Sequence, residues 1–260
     1  HGMILVTGPT GSGKTTTLYT ALNAINSSDR NILTIEDPVE IRLPLVRQVQ
    51  VNPEVGLTFA SALRSFLRQD PDVILVGEIR DAETARIAVQ ASLTGHLVFS
   101  TLHTNDAVGA IPRLRDFELP LFAINAALLC TIAQRLVRRV CDQCAAPERA
   151  GTAPPGGFGL SLDDMPSFVC GAGCAACRST GYRGRLGVYE MLRMTPRIQH
   201  LIEGSATAAE IRDAAESDGM RPMWRDGLEK ARRKLTTVWE LGKLRPVTDD
   251  ETRVPLRSAA

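Results

Sequence analysis

Residues 3–15 read Met3-Ile4-Leu5-Val6-Thr7-Gly8-Pro9-Thr10-Gly11-Ser12-Gly13-Lys14-Thr15, an apolar run of β-formers that opens into G-x-x-x-x-G-K-T without a mismatch. Glycines in such a turn let successive backbone N–H groups point inward around phosphate oxygens, where a Cβ would obstruct, and a helix opening near Lys14 adds its positive end. Lys14 is expected to reach the β- and γ-phosphates, and Thr15 to place its hydroxyl on Mg²⁺. The expected nucleotide-binding set is Gly8, Pro9, Thr10, Gly11, Ser12, Gly13, Lys14, Thr15 and Thr16. A dinucleotide fingerprint fits less well, because Thr16 stands where its third glycine belongs.

Outward from this turn, residues 16–25 read as a helix ending near Asn26-Ser27-Ser28-Asp29, and three short β-rich segments follow at 32–35, 73–76 and 97–99. Strands alternating with helical stretches predict an α/β fold, a mostly parallel sheet covered by helices on both faces, with the chemistry beyond the carboxyl ends of the strands. Those ends carry Glu36-Asp37-Pro38-Val39-Glu40, Gly77-Glu78-Ile79-Arg80-Asp81 and Ser100-Thr101-Leu102-His103-Thr104-Asn105. Triphosphate hydrolysis needs a carboxylate to orient or deprotonate water and polar groups that sense the γ-phosphate. Glu78 is the strongest candidate for polarising the water. Gly77 occupies the place of the usual Walker B aspartate, so magnesium falls to Thr15 and Glu36. His103 is the better γ-phosphate or subunit-contact residue. His96 is expected at the opposite end of the same strand, too far away to share a metal with it.

The 260 residues are 44% hydrophobic and 23% charged, enough for one large domain and a smaller one. Thirty basic side chains against twenty-nine acidic ones leave a net charge of +1, so no global field draws the chain to nucleic acid or anionic lipid. There is no run of 18 apolar residues and no charged leader before the first strand, and a chain opening on His1-Gly2-Met3 reads as a fragment with parts preceding it.

Five of six cysteines cluster between 141 and 177, which points to a reducing compartment and a local metal site. Cys141-x-x-Cys144 and Cys174-x-x-Cys177, 29 residues apart, form two chelating pairs with spacing suited to tetrahedral Cys₄ zinc that is structural rather than catalytic. The intervening segment, with Pro147, Pro154, Pro155 and Pro166 and Gly151, Gly156, Gly157 and Gly159, is expected to be mostly loop held by the metal. Cys170 reads as a bystander and Cys130 as a small core residue. Beyond it, 180–190 is expected to return through a short hairpin, with helices at 196–203, 208–217 and 220–234; Thr207 and Glu210 have capping-box spacing. The stretch 221–234 holds six basic and two acidic residues without aromatic interleaving, so no direct nucleic-acid contact is expected.

Taken together, these motifs resemble the secretion ATPase family that powers type II secretion and type IV pilus assembly. The resemblance runs through Ile32-Leu33-Thr34-Ile35-Glu36-Asp37-Pro38-Val39-Glu40, Leu67-Arg68-Gln69-Asp70-Pro71-Asp72, the Glu78 segment, Thr94-Gly95-His96 to Asn105 and Ala133-Gln134-Arg135-Leu136, over about the first 235–240 residues. It implies that the Glu36 segment is the Asp box, the Glu78 segment an atypical Walker B for which Gly77 is the norm, and 96–103 the His box. It implies a RecA-like P-loop ATPase core over 1–140, a tetracysteine zinc element and return hairpin over 141–190, a helical subdomain over 191–245 and a frayed tail over 246–260. It further implies ATP and Mg²⁺ as ligands and structural Zn²⁺. The expected assembly is a homo-hexamer in the cytoplasm, peripherally tied to the inner membrane through a platform protein, with a PAS-like domain preceding the core. Arg64, Arg68 and Arg80 are candidate charge-neutralising arginines, with Arg80 grouped with Glu78, Glu36 and His103 as the catalytic set. Alternatives are a DNA-uptake pilus motor and a nucleotide-regulated scaffold without useful turnover.

Overall fold

The computed structural model describes residues 1–149 and 158–244. The expected tail at 246–260, and Gly151, Pro154, Pro155, Gly156 and Gly157 of the cysteine segment, lie outside the described residues. Strands β1 (Gly2–Thr7), β2 (Ile32–Glu36), β3 (Val46–Gln50), β4 (Val73–Val76), β5 (Leu97–Leu102) and β6 (Leu128–Val140) are followed by the short β7 (Ala145–Pro147) and β8 (Val169–Gly171) and by β9 (Tyr182–Arg193). The helices are α1 (Lys14–Ile25), α2 (Phe59–Phe66), α3 (Ala82–Leu93), α4 (Ala110–Asp116), α5 (Leu121–Ala127), α6 (Pro196–Glu203), α7 (Ala208–Ser217), α8 (Met223–Arg232) and α9 (Val238–Leu241).

Seven strands form one sheet in the order β3-β2-β4-β5-β1-β6-β9. The pairs β2–β3, β2–β4, β4–β5, β1–β5 and β1–β6 are parallel, so the carboxyl ends of β1, β2, β4 and β5 share one edge. Successive residues go to opposite faces. Leu5, Ile74 and Val98 pack with Leu63, Phe66, Ala88 and Ile124, while Val6, Leu75 and Phe99 pack with Leu18 and Leu22 of α1. A sheet buried on both faces is what continuous apolar strands demand, and each fully buried Leu or Ile contributes about 1.5–3 kcal/mol.

Two compact units divide the chain: His1–Leu136 with Gly187–Met223, and Val137–Leu186 with the residues from Trp224 onward. In the first, α6 starts at Pro196 after Thr195, whose hydroxyl accepts from the Ile198 amide. The capping box of α7 forms as expected: the Thr207 amide donates to the Glu210 carboxylate at 2.7 Å and the Glu210 amide to Thr207 Oγ1 at 3.3 Å.

Three expectations need correction. The return from the cysteines is one twelve-residue strand, β9, beside β6 rather than a hairpin. In this strand a Cβ on Gly187 would lie 2.2 Å from the Tyr189 hydroxyl, so the aromatic covers the glycine. The last long helix starts at Met223 rather than 220. The cysteine segment is also more structured than a loop: β7 and β8 pair antiparallel, Ser161 and Asp164 cap a 3₁₀ turn over Leu162–Ser167, and Phe158, Met165 and Phe168 are buried.

Candidate functional site

The P-loop owes its shape to three left-handed glycines and one buried glutamine. Gly8, Gly11 and Gly13 have φ of 146°, 77° and 86°. A Cβ on Gly8 would lie 2.4 Å from the Gln134 carbonyl, and one on Gly13 would lie 2.9 Å from Gln134 Nε2, while one on Gly11 would point into open space. Gln134, on β6, donates to the Ser12 carbonyl at 2.8 Å and accepts from Thr17 Oγ1 at 2.7 Å, clamping the loop to the first turn of α1. That turn has no side-chain cap and no acidic residue, so its amides are available to an anion. Ser12 Oγ is buried with no hydrogen-bond partner among the described residues. Lys14 Nζ folds back onto the carbonyls of Gly8 at 2.8 Å and Pro9 at 3.2 Å. Burial lowers its pKa, and the Glu78 carboxylate opposes that shift. The open Gly11 position, the orphaned Ser12 hydroxyl and the Lys14 ammonium at the loop fit a polyphosphate.

At the end of β4, Gly77 leaves little room: a Cβ there would lie 3.3 Å from Glu36 Cα and from the Ile35 carbonyl. This packing explains why a glycine rather than an aspartate precedes Glu78. The Glu78 carboxylate contacts Arg80, and its other oxygen is 3.4 Å from His103 Nε2; Arg80 also reaches Asp37 at 3.5 Å. Burial pushes the Glu78 carboxyl up, but Arg80 and then His103 outweigh it and hold it below the usual carboxylate range. Glu78, Arg80 and His103 therefore come together, at the sheet edge that also carries Lys14.

Glu36 is buried behind them. Its Oε2 accepts from the Tyr19 hydroxyl, and its Oε1 from Thr34 Oγ1 at 2.6 Å and Gln48 Nε2 at 3.2 Å. Burial and then this bond to Glu36 push the Tyr19 hydroxyl up to about 12, so it stays a donor. Thr15 is half-buried and Thr16 exposed on the first turn of α1. Arg64 pairs with Glu83 and Arg68 donates to the Arg64 carbonyl at 2.9 Å; neither contact involves the Glu78 group. His96, before β5, has Nδ1 2.8 Å from the Ala91 carbonyl at the end of α3, a local capping contact. Sequence reading missed Gln134, Tyr19 and Gln48 as site residues. The signal for Gln134 was a polar residue in the mostly apolar stretch 128–134, where Thr131 is the other polar one.

The model of the family described as "Type II/IV secretion system protein" matches residues 1–243. The chain belongs to this family. It is 51% identical over 243 residues to the type II secretion system ATPase E of Vibrio cholerae, covering 93% of this chain and 48% of that protein. It is 50% identical over 248 residues to the type IV pilus assembly ATPase PilB of Acinetobacter baylyi, covering 94% and 43%. The chain thus spans about half the length of these curated relatives. A crystal structure of the pilus retraction motor PilT with bound ADP superposes with a TM-score of 0.70 at 32% identity, covering 96% of this chain and 62% of that one.

This secretion-family chain also carries a four-thiol cluster. The Sγ atoms of Cys141, Cys144, Cys174 and Cys177 all lie within 4.8 Å of one another, with contacts of 3.9 Å for 141–174, 3.8 Å for 144–177 and 3.7 Å for 174–177. A tetrahedron with metal–sulfur bonds of about 2.3 Å has edges of about 3.8 Å, whereas a disulfide needs about 2.05 Å. Amides of Cys174 and Gly181 donate to Cys177 Sγ at 3.2 and 3.3 Å. Burial pushes that thiol up, but these amides and the neighbouring thiols bring it down to about 6, whereas burial and its thiol neighbours push Cys144 up to about 12. Gly171 and Gly181 pass back to back, and a Cβ on Gly171 would fall 2.0 Å from the Gly181 carbonyl. The donor set and spacing fit a tetrahedral thiolate-binding ion. Cys170 is outside the cluster, its Sγ 3.8 Å from the Pro147 carbonyl, and Cys130 is only half-buried.

Proposed function

We propose that this chain is the RecA-like ATPase portion of a motor that hydrolyses ATP to assemble a pilus or pseudopilus, in type II secretion or type IV pilus biogenesis. The observation that carries this reading is the junction of an open phosphate cradle, Lys14 included, with the Glu78–Arg80–His103 group at one sheet edge. Gly8 to Thr16 bind the phosphates through backbone amides and the α1 N-terminus, and Lys14 swings from the Gly8 carbonyl to the β- and γ-phosphates. Glu78, kept ionised by Arg80, orients water for attack on the γ-phosphorus and receives its proton; His103 senses the γ-phosphate and Arg80 offsets developing charge. Magnesium, when bound, neutralises charge on the phosphate oxygens. Thr15 would hold it directly, and Glu36, whose Oε2 has a single donor, would accept from its water shell.

The four thiolates would hold a structural Zn²⁺ with no position left for substrate. The same reading extends to a homo-hexamer working in the cytoplasm against an inner-membrane platform protein, with the core at 1–140, the tetracysteine element at 141–190 and the helical subdomain at 191–245; kinship with proteins named as secretion and pilus assembly ATPases favours such a role. Among the described residues no helix is long and apolar enough to cross a membrane. Lys14→Ala should lower ATP affinity about 100-fold, the loss of one charge-assisted phosphate contact worth about 2–3 kcal/mol, and leave the circular dichroism spectrum unchanged. Titration with a fluorescent ATP analogue reads this directly. A folded variant that keeps the parent affinity would overturn the reading.

A further inference from the structure

His103 is held by more than its own loop. Thr7, the last residue of β1, accepts from the Thr104 amide at 2.8 Å, and the Thr104 hydroxyl donates to the Asp106 carbonyl at 2.9 Å. One carboxylate oxygen of Asp106 accepts from the Gly109 amide at 2.7 Å, and the other lies 2.9 Å from Arg212 on α7. The second nitrogen of the same guanidinium is 3.6 Å from Glu190 on β9. Glu190 is only 4% exposed; it accepts from the Ala107 amide at 3.1 Å and the Met223 amide at 3.3 Å. The Ala107 carbonyl in turn receives Thr131 Oγ1 of β6 at 2.7 Å. A buried carboxylate is costly unless paired and hydrogen-bonded, and one arginine fork here serves two carboxylates, Asp106 within the 103–109 segment and Glu190 on β9.

None of Asp106, Glu190 and Arg212 has a role in the phosphate chemistry, yet all three converge on the segment that starts at His103. We propose that Arg212, seated on Asp106 and Glu190, is a positioning residue that fixes this segment so that His103 is presented to Glu78. The proposal rests on the ATP-hydrolysis reading. Removing the guanidinium leaves Asp106 with the Gly109 amide and Glu190 with the Ala107 and Met223 amides, so the tie from the loop to α7 and β9 through the arginine is lost. The P-loop makes no contact with Arg212 in this network, so nucleotide binding is spared. A misplacement of a reacting group by about 1 Å costs as much as 100-fold in rate.

The test is a double-mutant cycle in the intact natural protein, with steady-state ATP turnover as the readout. Arg212→Gln should lower kcat about tenfold with KM for ATP changed less than about twofold, and Arg212→Lys, which still reaches Asp106, should recover part of the loss. His103→Ala should cost a similar factor. The pair should cost no more than either alone, because both remove the same contribution. A merely structural role would make the losses multiply to about 100-fold, and that result, or parent turnover in Arg212→Gln, overturns the proposal. If thermal melting shows Arg212→Gln unfolded, the cycle is run with Arg212→Lys, and its smaller loss must likewise vanish in the His103→Ala background. Turnover that survives Lys14→Ala would count against the ATPase reading itself; turnover lost there, with an additive cycle, counts against Arg212 alone.

Discussion

The nucleotide-facing edge and the cysteine lobe hold irregular backbone in place by different means. At the edge, the P-loop sits behind strands buried on both faces, and buried Gln134 ties it to α1. The lobe has a three-residue ribbon, one 3₁₀ turn and a few buried side chains, Phe158, Met165 and Phe168 among them, around four thiols. The difference teaches where each region's stability resides. The edge draws on an extensive core. The lobe is too small to fold on apolar burial alone and draws on its proposed metal.

Removing that metal is the strongest way to break the comparison. Purified protein should contain one Zn²⁺ per chain, and stripping it with a chelator, or substituting Cys144→Ser, should abolish amide-exchange protection around 141–148 and 169–182. ATP affinity should change less than about twofold, because structural zinc contributes roughly 10 kcal/mol locally. Cys170→Ser should leave the metal content unchanged. Elemental analysis with hydrogen exchange checks both arms; zinc retained by Cys144→Ser, or lost only in Cys170→Ser, would overturn the ligand set.

Smaller effects come from the P-loop glycines, which separate fold from ligand within the edge itself. Gly8→Ala forces a Cβ against the Gln134 carbonyl and should cost about 2–4 kcal/mol of stability, read as a fall in Tm. Gly11→Ala meets no protein atom within 4 Å and should cost only the left-handed backbone penalty of about 1–2 kcal/mol, yet weaken ATP binding by filling the cradle. Equal losses of Tm in the two variants would show that the loop is not braced by β6.

Much of the edge was legible because its chemistry is local in sequence. Gly8 to Thr15 is contiguous, and Glu78 and His103 each follow a short apolar strand. The four cysteines announced themselves by spacing. What stayed hidden depends on distant pairings. Gln134 meets Ser12 across 122 positions, Thr7 meets Thr104 across 97, and the partners of Glu36 arrive from α1 and from β3. Strand β3 was itself invisible, since Val46-Arg47-Gln48-Val49-Gln50 is a half-exposed edge strand whose Gln48 faces Glu36 rather than solvent. The cysteine segment reads as mostly loop because it is rich in proline and glycine, while the residues that order it, Met165 and Phe168, are few.

Glu78 is the residue proposed to turn binding into hydrolysis. The measurement is single-turnover ATP hydrolysis by Glu78→Gln in the intact natural protein, with bound nucleotide quantified in the same sample. Glutamine keeps the side chain's size but orients water poorly and accepts no proton, so hydrolysis should fall by about 10²–10⁴ while ATP stays bound. Hydrolysis at the parent rate by a variant saturated with ATP would contradict the assignment and move the catalytic carboxylate elsewhere, with Glu36 next in line.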